Sequence, residues 1–181
     1  NTGVALLQEW SANHHTHLPS RLAELKHWST EVATLNAELN PEPAESAEGE
    51  EAPEVTEPVE PTEEELPAKA EKEASLADAN AALEEAKKSV STWLESADQT
   101  LFQYPLMRDG RKVLAYSYLG DFEKASAILD SVKGHVSTDP ELSFAAANYY
   151  ALSGQSEQAA EAMGQFVRLM PHMAGAALTV K

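Results

Sequence analysis

The sequence predicts an all-α chain: antiparallel helical hairpins stacked as an α-solenoid, preceded by a coiled-coil-like helix pair and an acidic linker. Three observations carry this. First, Tyr116, Gly120, Ala125 and Leu129 return 34 positions later as Tyr150, Gly154, Ala159 and Met163. A repeat of that length is the sequence mark of one helical hairpin stacked on the next. Second, apolar residues between 76 and 97 alternate three- and four-residue steps without a miss. Third, Ala, Glu, Leu and Ser dominate the chain, and the period-two alternation of half-buried strands is scarce.

Residues 1–40 read as N-terminal helices. Val4, Leu6, Leu7 and Trp10 give a short apolar helix over 3–13, and Asn13-His14-His15-Thr16-His17 breaks it. Pro19 suits the first turn of a second helix, where a missing N–H costs nothing. Leu22, Leu25, Val32 and Leu39 then mark one face, with Trp28 and Leu35 flanking it, until Asn40-Pro41 stops the helix.

Residues 41–73 hold six of the ten prolines and 13 Glu against only Lys69 and Lys72. Proline removes helix hydrogen bonds, like charges repel, and little can be buried, so a disordered linker is expected. As an alternative, the same acidity offers a docking segment for a basic partner. A long amphipathic helix follows over 74–100. Its seam is Leu76, Ala79, Leu83, Ala86, Val90, Trp93 and Ala97, a heptad-like pattern whose small residues let another helix come close. The helix at 19–39 is the natural partner, and a second copy of the chain is the competing one.

Residues 101–181 hold the repeats. Inner helices are expected at about 107–119 and 141–153, and outer helices at about 121–133 and 155–169. Gly120 and Gly154 fall where each hairpin turns, the place for a left-handed residue. Ala125 and Ala159 are small where helices cross. Gly110 costs the first inner helix about 1 kcal/mol relative to Ala. Pro171 closes the second outer helix, and the tail from His172 reads as the start of another.

Composition narrows the chemistry. The net charge is −17, of which −11 lies in residues 41–73. Nucleic acid and anionic membrane surfaces are poor partners, because both need clustered Lys and Arg. There is no cysteine, which removes disulfides, thiol nucleophiles and thiolate metal sites. The cluster His14, His15 and His17, with His27 further on, has no zinc-site spacing and reads as a solvent-exposed loop. Nucleophile-elbow and phosphate-loop patterns are absent, so neither catalysis nor a cofactor is expected. Trp10, Trp28 and Trp93 read as helix-packing residues. The composition suggests a bacterial protein, in the periplasm or tethered to a membrane through a segment upstream of Asn1. The cytoplasm is the other compartment it admits.

The motif Tyr116-x3-Gly120 with Ala125-x3-Leu129, its echo at Tyr150-x3-Gly154 with Ala159-x3-Met163, and Pro171 at the exit resemble the tetratricopeptide repeat family over about 65 of 181 residues. The pattern departs at the early Trp position, which holds Asp109 and Ser143, and at the first exit Pro, which is Ser137. The resemblance implies a right-handed superhelix with a concave groove for peptides, and no catalysis. Its groove-facing positions would be Leu114, Ser117, Tyr118, Glu141, Phe144, Asn148 and Ala151. Some members bind a C-terminal carboxylate through Lys and Asn; here Asn148 matches, but the Lys position is Phe144, so an apolar peptide contact is expected instead. Two repeats are fewer than the three or so that bury a continuous core, so the helices at 19–39 and 74–100 are expected to cap them. The functional expectation is a protein–protein interaction scaffold. The alternative is an assembly subunit that oligomerises through its heptad helix and repeat faces.

Overall fold

A computed structural model describes residues 17–41 and 65–173. Among these the chain is all-helical: α1 His17–Leu39, α2 Glu65–Thr100, α3 Pro105–Tyr118, α4 Phe122–Val132, α5 Pro140–Leu152, α6 Ser156–Leu169, then a 3-10 turn Pro171–Met173. The expected helix over 3–13, most of the acidic tract and the tail beyond Met173 lie outside the described residues. One boundary needs correcting: α2 begins at Glu65, nine residues before the expected 74. Pro67 falls in its first turn, where no intrahelical N–H is needed. Ala68, Lys69, Ala70, Glu71 and Lys72 are all good helix formers.

The fold divides into two compact units, one of Lys26–Glu85 and one of the chain up to Leu25 together with Ala86 onward. In the first, Ala79 is the one fully buried side chain among the described residues, while Val32, Leu35, Leu39, Leu76 and Leu83 are half-buried. Lys72 Nζ meets Glu38 Oε2 at 2.9 Å with both side chains 47% exposed. Such a pair contributes no more than about 1 kcal/mol.

The second unit holds the main core. Val90, Trp93, Ala97 and Leu101 bring in the end of α2, and Leu18, Leu22 and Leu25 the start of α1. The two are tied where Arg21 Nη1 donates to the Ser89 carbonyl. Helix α5 packs against α3, α4 and α6. Its sequence is apolar on nearly every side, as a helix enclosed by others must be, and Leu142, Ala145, Ala146 and Ala147 are at most 1% exposed.

Helices α3 and α4, and α5 and α6, form two packed pairs joined by matching turns. Gly120 (φ 78°) and Gly154 (φ 80°) are the positive-φ residues among those described. In the first turn Gly120 N donates to Ser117 O at 3.1 Å and Asp121 N to Tyr116 O at 2.9 Å. In the second, Gly154 N donates to Ala151 O at 3.2 Å and Gln155 N to Tyr150 O at 2.7 Å. Both are the Schellman arrangement, and every donor and acceptor is displaced by the repeat offset. Asp121 caps α4 by accepting from Lys124 N at 3.2 Å, and Asp139 caps α5 by accepting from Leu142 N at 2.9 Å. The Ser143 hydroxyl holds the linker down by donating to the carbonyls of Val136 and Asp139.

Gly110 has a role the sequence did not disclose. It is buried, and a Cβ there would stand 3.3 Å from Glu141 Cγ and 3.4 Å from Leu142 Cδ2. Its missing side chain is what lets α3 and α5 approach. Gly110→Leu should therefore prise them apart and destabilise by roughly 1–3 kcal/mol or more, outweighing its gain in helix propensity. Urea denaturation monitored by circular dichroism reads this directly.

Candidate functional site

Four helices of the larger unit contribute side chains to a cavity of about 360 Å³. Helix α3 gives Arg111, Leu114 and Tyr118, and α5 gives Pro140, Glu141, Phe144 and Asn148. Helix α6 adds Phe166, with Met170 just past its end, and the start of α1 adds Leu18, Pro19 and Leu22. Arg111, Leu114 and Tyr118 on α3, and Glu141, Phe144 and Asn148 on α5, are spaced three and four residues apart, so each set is one helix face. The volume lies within the roughly 300–1,000 Å³ of ordinary ligand pockets, and the walls are mainly apolar.

The two inner helices face each other in a fixed register. Arg111 Nε meets Glu141 Oε1 at 2.8 Å, and Tyr118 Oη donates to Asn148 Oδ1 at 3.4 Å. Both pairs are 30 residues apart, so α3 and α5 run parallel. Leu114 and Phe144 share this offset and lie between the two polar rungs. The rings of Phe144 and Phe166 are 5.2 Å apart at 51°, which joins α5 to α6 across the floor.

The polar groups here are largely engaged with one another. Asn148 Nδ2 donates to the Phe144 carbonyl at 2.9 Å while its Oδ1 accepts from Tyr118, so its carboxamide is held at both ends. A carboxylate ligand would have to break that pairing, and Phe144 stands where a cation would be needed. Burial pushes the Tyr118 hydroxyl above its ordinary pKa, because the phenolate would be poorly solvated there.

Five of the seven residues expected on the groove, Leu114, Tyr118, Glu141, Phe144 and Asn148, line this cavity together. Ser117 does not: it is 2% exposed, and its hydroxyl donates to the Val113 carbonyl at 2.7 Å. Ala151 does not either, being exposed to solvent outside the cavity lining. Sequence reasoning missed Arg111, Phe166, Met170 and the α1 residues. Arg111 lies three residues before Leu114 on the same helix face, which was a usable signal; nothing local marked the others.

The remaining features add no chemistry. His14 and His15 lie outside the described residues, as does the side chain of His17, and His27 is exposed with its ring 4.8 Å from Trp28. Among the described residues no three His, Asp or Glu side chains gather as a metal site, and no helix is long and apolar enough to cross a membrane. A second cavity, near Lys87, Leu94, Tyr116 and Lys124, mixes charged and apolar walls.

Tyr118 should ionise above about 10, the ordinary tyrosine value. Its raised folded-state pKa adds stability that is fully present below the unfolded value and is lost as pH rises through the folded one. Tyrosinate absorbance in an alkaline titration should show a step above the ordinary value that Tyr118→Phe removes.

Comparison with known proteins returned no match: no family model, curated protein or solved structure resembles this chain to a significant degree.

Proposed function

We propose that the chain is a non-catalytic protein–protein interaction scaffold, built on tetratricopeptide-like hairpins, whose groove between α3, α5 and α6 takes an apolar face of a peptide or helix. The observation that carries this reading is the register of α3 on α5. It places Leu114 and Phe144 side by side on an apolar floor, with polar pairs at either end that are already satisfied. Such a floor favours burial of apolar side chains over polar or catalytic chemistry. The identical turns at Gly120 and Gly154 support the family likeness on which the groove assignment rests.

Peptide display against the 181-residue chain tests it. Selected peptides should carry apolar residues at helical or extended spacing. They should lose at least about tenfold in affinity with Phe144→Glu or Met170→Asp in chains that keep their helical circular dichroism, since one hot-spot contact is worth 1.4 kcal/mol or more. Peptides that bind both variants as tightly as the unaltered chain would refute the groove. Asn148→Ala is a weaker probe, because it also leaves the Tyr118 hydroxyl without its acceptor.

A second reading, self-association, draws on Phe102 and Tyr104, which are 67% and 48% exposed in the short link between α2 and α3. It predicts a mass by light scattering that rises over a roughly hundredfold range of concentration and falls back with Phe102→Ser. A constant monomer mass would remove it.

A further inference from the structure

The start of α1 is a wall of the groove: Leu18, Pro19 and Leu22 line it, and Leu18 is 1% exposed. The described chain therefore begins at the groove itself, with sixteen residues of sequence before His17. Their sequence is apolar where it matters. Val4, Leu6, Leu7 and Trp10 fall within seven residues, with Glu9 the only charge among residues 1–13. A polar run from Asn13 to His17 separates them from the helix.

We propose that the groove's resident ligand is this chain's own segment Val4–Trp10, docked in cis, so that an outside partner binds by displacing it. The proposal rests on the reading of the groove as a binding surface, and adds how that surface is regulated. Three arguments carry it. Trp10 lies eight residues before Leu18, a tether that reaches up to about 26 Å when extended, more than a cavity of this volume requires. A tether this short holds its ligand at an effective concentration of the order of mM. A segment that binds with a Kd of about 100 µM when free would thus fill its own groove about nine-tenths of the time. Finally, the chemistry matches: Val4, Leu6, Leu7 and Trp10, with Glu9 the one charge in the segment, suit a floor of Leu114, Phe144, Phe166 and Met170. The other end of the chain, residues 174–181, follows Met170 closely but offers only Leu178 and Val180 as large apolar residues.

The test is a fluorescence-anisotropy titration. The probe is a labelled synthetic peptide with the sequence of residues 1–16, titrated with the unaltered 181-residue chain and with its Leu7→Ser/Trp10→Ser double variant. The double variant should bind the peptide about tenfold more tightly, because its own segment no longer competes. Adding Phe144→Glu or Met170→Asp to the double variant should abolish that binding. Equal affinity for the unaltered chain and the double variant overturns the proposal, as does no binding to either, or a gain that survives both groove substitutions. A mass that rises with concentration and is lost in the double variant also overturns it, since the segment would then sit on a second copy. If displayed peptides still depend on Phe144, the groove stands and only its occupancy in cis falls; if they do not, both fall.

Discussion

The close approach of α3 to α5 at Gly110 is the constraint on which the larger unit depends. A Cβ at that position would stand 3.3 Å from Glu141 Cγ and 3.4 Å from Leu142 Cδ2, tighter than ordinary side-chain contact. That close approach fixes the axial register, and the register then decides which side chains meet. Arg111 reaches Glu141 and Tyr118 reaches Asn148, each 30 residues on, with Leu114 and Phe144 between them. Moving either pair one residue along its helix would turn the facing position by about 100°, so these contacts hold only in this register. The glycine costs about 1 kcal/mol in helix propensity relative to Ala, and a side chain there would press on Glu141 and Leu142.

The two positive-φ glycines do a different job: they end α3 and α5 and reverse the chain. Because both turns satisfy the same terminal carbonyls in the same way, the two helix pairs are built alike from one local rule. They are not covered alike. Ala125 and Leu129 are buried in the first pair, whereas their counterparts Ala159 and Met163 are only half-buried. Ser117 and Ala151 show the same asymmetry. A repeat repeats its geometry, but burial depends on having a neighbour on both sides.

That distinction explains what could be read from the residues alone. The helix class, the turn glycines and the ends of α3 to α6 follow from local periodicity and punctuation, and agree with the structure to within about two residues. Of the expected seam of α2, Ala79, Ala86, Val90, Trp93 and Ala97 are buried, while Leu76 and Leu83 are only half-buried. The start of α2 was obscured because Glu and Pro dominate the preceding tract, although a proline in a first turn breaks nothing. In the groove, the tetratricopeptide resemblance implied the inner-helix positions, and of these Leu114, Tyr118, Glu141, Phe144 and Asn148 line one cavity. Leu18 and Met170 come to the same cavity from positions 152 residues apart in the chain. No spacing rule reaches across such a distance. Ser117 and Ala151 were placed by equivalence of repeat position, which carries no information about what covers them.

The thinness of the unit formed by Lys26–Glu85 has a consequence for how the chain responds to stress. With Ala79 its one fully buried side chain among the described residues, it has little apolar burial to set against the entropy of holding its helices in place. Its local opening free energy is therefore small beside that of the core around Val113, Ala125 and Leu142. Among the described residues, amide protons of 26–39 and 69–85 should exchange with solvent before those of that core.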